Sequence, residues 1–136
     1  MIDSFDVSSS KKTELIDITR QVKGIIQKTK VQSGLCIIYV PHTTAAVTIN
    51  ENADPHVALD IITGLDQLVP SHDRYLHGEG NSPAHIKASL IGFSETVLVE
   101  SGDLVLGTWQ GIYFCEFDGP RRRIVHVRVS PHPGSS

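Results

Sequence analysis

Residues 95–129 read ETVLVE-SGD-LVLGTWQGIYFCEF-DGPRR-RIVHVRV, three apolar pieces separated by polar breaks. Val, Ile, Phe and Tyr suit a pleated surface, and Asp118-Gly119-Pro120 is a turn between the last two pieces. Strands joined by short turns pair antiparallel, and their run at the end of the chain predicts an α+β domain with a largely antiparallel sheet. Before them, Ser82-Pro83 is a cap-plus-proline start for a short helix that reaches Ile91 and is closed by Gly92. Asp54-Pro55 repeats that signal. Ala58, Ile61, Ile62, Leu65 and Val69 then give the helix stopping before Pro70 one apolar stripe. Leu35 to Val40 is apolar on both faces and too short for a helix, so it reads as a buried strand, with a second strand over Thr43–Asn50 after Pro41. Further back, Val22, Ile25, Ile26 and Thr29 define a helix over Arg20–Lys30, with Thr19 as N-cap and Ser33-Gly34 as its end. Ile2 to Ser8 and Thr13 to Thr19 read as strands. The order ββαββααβββ lacks the alternation of a nucleotide-binding α/β fold, and no GxGxxG, P-loop or CxxC motif occurs.

With 136 residues, the chain is the size of one domain, spanning 1–136, with a frayed tail expected over 130–136. The composition is 40% hydrophobic and 20% charged, which excludes disordered and low-complexity classes. A net charge of −3 with no basic face argues against nucleic acid, and no apolar run is long enough to span a membrane. The N-terminus shows no secretory pattern, so a cytoplasmic protein is expected, with Cys36 and Cys115 as buried thiols. There are seven His, an unusual number for this length.

Four segments carry candidate chemistry. On the strand after Pro41, His42, Thr44, Thr48 and Asn50 share a polar, uncharged face, readable as a pocket wall or a wet surface. Asn50-Glu51-Asn52-Ala53-Asp54 follows, where Asp54 is needed as a cap but Glu51 and Asn52 are not. The polar loop Pro70–Asn81 is long for a connector and holds His77-Gly78-Glu79-Gly80-Asn81, followed by His85 on the next helix. His77 and His85, together with His42, can supply three imidazoles, the open arrangement of a zinc site that lowers the pKa of a bound water to about 7. Glu79 then serves as orienter or general base. The other reading leaves these as solvent-exposed loop histidines. His56, His72, His126 and His132 read as ordinary residues. Trp109 is expected as a core or interface anchor. Arg121, Arg122 and Arg123 can grip phosphate or simply begin a solvated strand.

Together, HTTAAVTINENADP (42–55), HGEGNSPAHIKASLIG (77–92) and GTWQGIYFCEFDGPRRR (107–123) resemble the YjbQ family, also called the secondary thiamine-phosphate synthase family. The resemblance runs from about Gly34 to Val127. It implies a compact β-sandwich-like core with about three helices and a homotrimer. It also implies a site around His42, His77 and His85, with Glu79 and Asp54 close by, and a weak, secondary thiamine-phosphate synthase activity. That reaction joins a thiazole phosphate to a pyrimidine whose pyrophosphate leaves. Mg²⁺ on oxygens from Asp54, Glu51 and Asp60 can stabilise the leaving group, and Lys87, Arg121 and Arg123 can meet phosphates. Thr44, Asn50, Glu51, Asn52, Asn81, Lys87 and Arg121 are the expected substrate contacts. A three-His set suits Zn²⁺ or another transition metal better than Mg²⁺. The alternatives are a metal-dependent hydrolase and a non-enzymatic trimer that binds a metal or a small phosphorylated metabolite.

Overall fold

A computed structural model describes residues 2–134. The strands are β1 (Asp3–Ser8), β2 (Glu14–Asp17), β3 (Gly34–Tyr39), β4 (Ala45–Glu51), β5 (Ser94–Glu100), β6 (Asp103–Leu104), β7 (Gln110–Glu116) and β8 (Arg122–Pro131). The helices are α1 (Thr19–Thr29), α2 (Pro55–Leu68) and α3 (Ser82–Ile91). Five strands form one sheet in the order β1-β8-β3-β5-β6, and three form a second in the order β2-β7-β4. Every pairing is antiparallel.

Alternation along the strands decides what lies between the sheets. Cys36 and Ile38 of β3, Val97 and Val99 of β5, and Val125 and Val127 of β8 point inward. They meet Val47, Ile112 and Phe114 of the smaller sheet, and α1 closes the same core with Val22 and Ile26. The other face of the smaller sheet is also covered: Ala46, Cys115 and Phe117 pack against Leu65 of α2 and Ala84 and Ala88 of α3. Among the described residues, nothing comparable covers the outer face of the larger sheet, and Leu35, Ile37, Tyr39 and Leu98 stand exposed on it.

Both cysteines are free and buried, and burial pushes the Cys36 thiol up to about 11 and Cys115 to about 12. They are packing residues, as the apolar segments around them imply.

The departures from the sequence reading have local causes. Thr19 begins α1 without capping it, because its hydroxyl donates to Asp17 Oδ1 at 2.6 Å and accepts the Ile112 N–H at 2.8 Å. Lys30, at φ 62°, ends that helix before Gly34 is reached. Gly34 is instead a β3 residue in close contact with β8, where a Cβ would lie 2.0 Å from the Ser130 carbonyl oxygen. Residues 104–117 are not one strand run. Val105 to Trp109 carries the chain from the larger sheet to the smaller one, which splits off β6. Trp109 sits in this turn, 62% exposed, and is no core anchor. Ser130 and Pro131 are not frayed, since β8 pairs them with Leu35 and Gly34. Ser135 and Ser136 lie outside the described residues.

Candidate functional site around the loop and helix histidines

α2 and α3 begin as their sequences dictate. Pro55 opens α2 and Asp54 caps it, its Oδ1 accepting the His56 N–H at 2.9 Å. Asp54 therefore has a structural task at an exposed helix end, and Asp60 is exposed farther along α2. Before α3, the Gly80 N–H donates to the His77 carbonyl at 3.2 Å, and Gly80 takes φ 77°. This tight turn puts Glu79 at its exposed tip and returns the chain to Asn81. His77 and His85 come together across it, with ring centroids 5.3 Å apart and planes perpendicular. They line an open cavity of about 320 Å³ with Tyr75, Ser82 and Ile86.

His42 does not join them inside the chain. It follows β3 and lines a different cavity with Tyr39, Pro41, Thr43 and Phe93. Its Nε2 lies 3.1 Å from the Ile124 carbonyl and 3.0 Å from the Ile124 N–H. If Nε2–H donates to the carbonyl, Nδ1 keeps a free lone pair; if Nε2 accepts the N–H, Nδ1 carries the proton. Burial, then the Arg123 charge, holds the His42 imidazole below the usual histidine range. Among the described residues, no three His, Cys, Asp or Glu side chains gather as a metal site requires. A complete three-His centre is thus not built within one chain, nor is an oxygen cage for Mg²⁺ from Asp54, Glu51 and Asp60. Among the described residues, the donors of a single chain do not by themselves complete a site for either ion.

The polar face expected on β4 is divided among structural tasks. Thr44, 4% exposed, accepts from Arg123 Nη2 on its Oγ1 at 2.8 Å. Arg123 Nε also donates to Glu116 Oε1 at 2.9 Å, and Ser9 and the Asp118 N–H complete the carboxylate's partners. Burial opposes the charge on Glu116, and these donors outweigh it, holding the carboxyl below its usual range. Strand alternation sends Arg122 outward to Asp6, while Arg121 donates to Asp118 Oδ2 at 2.8 Å. Each of the three arginines has its own carboxylate, so they form no phosphate clamp.

Asn50 accepts the Glu51 N–H on its own Oδ1 at 2.8 Å, and the Glu51 carbonyl accepts from Tyr113 Oη at 3.2 Å. Asn52 Nδ2 donates to Asp17 Oδ2 at 3.0 Å and lies over Gly111, where a Cβ would come within 2.3 Å of it. Burial again opposes ionisation of Asp17. The hydrogen bonds from Thr19 and Asn52 prevail and keep it low.

Asn81 and Lys87, by contrast, do meet at a cavity. Its volume is about 240 Å³, and Lys12, Thr13, Asp66 and Ser71 also line it. The Lys87 ammonium, its side chain 7% exposed, is bonded to Asp66.

A two-sheet antiparallel α+β domain, with a helix pair on one sheet and its unpaired histidines on the loop and helix above, defines the class. Residues 3–132 match the family model described as UPF0047 protein YjbQ-like. The chain belongs to that family. It is 51% identical over 129 residues to UPF0047 protein MJ1081 of Methanocaldococcus jannaschii, covering 95% of this chain and 94% of the relative. It is 50% identical over 130 residues to YugU of Bacillus subtilis, covering 95% and 98%. Among solved structures, a YjbQ/UPF0047 family protein of Clostridium acetobutylicum superposes with a TM-score of 0.93 at 50% identity, covering 94% of this chain and 99% of that one. SSO2532 of Sulfolobus solfataricus, described as a YbjQ-like protein of unknown function, gives 0.93 at 35% identity, covering 97% of each. No helix among the described residues is long and apolar enough to cross a membrane.

Proposed function

We propose that the chain works as a cytoplasmic homotrimer that binds a small phosphorylated metabolite. Its zinc-type metal centre combines His77 and His85 of one copy with His42 of the partner subunit. The observation that carries this reading is the edge-to-face meeting of His77 and His85 in an open cavity, with no hydrogen bond to either ring among the described residues. Two imidazoles are one short of the three protein ligands an open zinc site takes. His42 stands at the end of β3, beside the uncovered apolar face on which a second copy can pack. Burial favours its neutral, ligating form, and a metal-bound His commonly donates its other N–H to a backbone carbonyl, the part Ile124 can take. The two free, buried thiols suit a reducing compartment.

The finer activity is thiamine-phosphate synthesis as a secondary reaction, in which the thiazole nitrogen forms a bond to the pyrimidine's methylene carbon as pyrophosphate leaves. The cation that lines a cavity where a phosphate group could sit is Lys87, whereas Arg121, Arg122 and Arg123 lie on three separate carboxylates.

Sedimentation equilibrium should give three times the 14.9 kDa chain mass. His42→Ala and His77→Ala should each lose bound metal. Trimers re-formed from an equal mixture should regain about one quarter of the wild-type metal, because one junction in four pairs the two intact half-sites. A monomer mass, or no recovery on mixing, overturns the shared centre. Full synthase activity in every histidine variant would place that activity elsewhere.

A further inference from the structure

We propose that the cavity between α2 and α3 is a second site, which takes the phosphoryl group of a small hydroxylated phosphate monoester. The inference rests on the metabolite-binding reading above, with which it shares Lys87, and uses none of the three histidines. His85 and Lys87 are two positions apart on α3, about 200° around the helix, so they serve opposite faces. The cavity holds about 240 Å³. Lys12, Asp66 and Ser71 on its rim are exposed, so it is a cleft that a small ligand can enter from solvent.

Its polar groups set the ligand's chemistry. Lys87 is buried and shares a single carboxylate, Asp66, which is itself half exposed. Lys12 lines the same space, so the charges sum to one positive in excess. The hydroxyls of Thr13 and Ser71 add donors. An ammonium with two N–H donors left over, a second lysine and two hydroxyls suit a phosphoryl group.

Asn81 adds a requirement that ionised phosphoryl oxygens do not meet. Its Nδ2 donates to Asp118 Oδ2 at 2.9 Å, and turning the amide over would set oxygen against oxygen there. The orientation is therefore fixed. It leaves Oδ1, a buried acceptor, with no partner among the described residues. Such an atom is uncommon, because an unmade buried hydrogen bond is costly. An ionised phosphate oxygen cannot donate to an acceptor, but a hydroxyl beside the phosphate can. Asn81 is one of the residues lining the cavity, so a hydroxyl bound there lies next to its amide.

Calorimetric titration of the intact protein with glycerol phosphate, inorganic phosphate and glycerol tests the proposal. Glycerol phosphate should bind saturably, inorganic phosphate about 10-fold more weakly, and glycerol not at all. Lys87→Met should weaken both phosphate probes by at least about 10-fold. Lys12→Met, at an exposed position, should weaken them without risk to the fold. Asn81→Ala should weaken glycerol phosphate alone. His77→Ala and His85→Ala should change neither titration, so loss of the metal centre and loss of this site are read separately. The proposal falls if neither phosphate probe binds at millimolar concentration. It falls equally if binding survives both lysine substitutions, or if inorganic phosphate binds as tightly as glycerol phosphate.

Discussion

Replacing Arg123 by Met should be among the most damaging single changes in the chain. Arg123 and Glu116 have side chains 3% and 0% exposed, and the carboxylate's other partners are Ser9 and the Asp118 N–H. Removing the cation strands a buried carboxylate, which costs about 3–5 kcal/mol. At roughly 3–4 °C per kcal/mol for a chain of this size, the midpoint should fall by about 10–20 °C. The pH dependence has a definite sign. In the wild type, the folded Glu116 carboxyl lies below its unfolded value near 4.5, so its stabilisation is present at neutral pH and is lost as pH falls through the folded value. In the variant, burial acts without the arginine and raises that carboxyl, so the variant gains protons, and relative stability, as pH falls from neutral. The gap between the two proteins should therefore narrow toward acid. Urea unfolding followed by circular dichroism between neutral pH and about pH 5 measures it, and Glu116→Gln/Arg123→Met should recover part of the loss. A cost below about 1 kcal/mol at neutral pH, or a gap independent of pH, would refute the account.

The same variant should raise the His42 titration seen by NMR, because the Arg123 charge helps to hold it down. Below about pH 6.5 the unfolded state takes up the His42 proton before the folded state does, so wild-type stability should decline there, and His42→Gln should flatten that decline. His77→Ala and His85→Ala should change unfolding free energy by less than about 0.5 kcal/mol, as neither side chain is buried, while lowering metal content measured by mass spectrometry. Glu79→Gln should keep the metal and slow any turnover, assayed on the same sample, because Gln cannot take a proton. Gly111→Ala should cost about 1–3 kcal/mol in a thermal melt by driving Asn52 off Asp17.

Much of the fold is legible because it follows from local rules. Pro55 and Pro83 mark two helix starts, the period-two pattern marks the strands, and the stripe from Ala58 to Val69 orients α2. What the residues alone leave open is which strand joins which sheet. LVLGTWQGIYFCEF is one apolar run in sequence. Its division between two sheets depends on the turn at Gly107–Trp109, held by Gln110 Oε1 accepting the Gly107 N–H at 2.8 Å. The end of β8 is similar, because Ser130 and Pro131 look like tail residues until β3 is set beside them.

The site is less legible because polar residues in a motif serve two ends that composition does not separate. Three consecutive arginines suggest a phosphate grip, yet alternation already assigns them: Arg123 shares a strand face with Val125 and Val127, and Glu116 shares one with Ile112 and Phe114. Two charges placed on core faces of neighbouring segments imply a buried pair, a signal present in the sequence. Its consequence reaches His42. Thr44 and Arg123 fix the start of β4 against the start of β8, and His42 leans on Ile124, the next residue along. The buried pair thus positions the imidazole from behind, by charge and by backbone, without touching whatever the imidazole faces. His77 and His85 have no such support, since the turn over Gly78 to Gly80 and the first turn of α3 hold them. A ligand that joined all three would couple the buried Glu116–Arg123 pair to an exposed loop. Hydrogen exchange in residues 70–81 should then slow on metal addition while β7 and β8 stay unchanged.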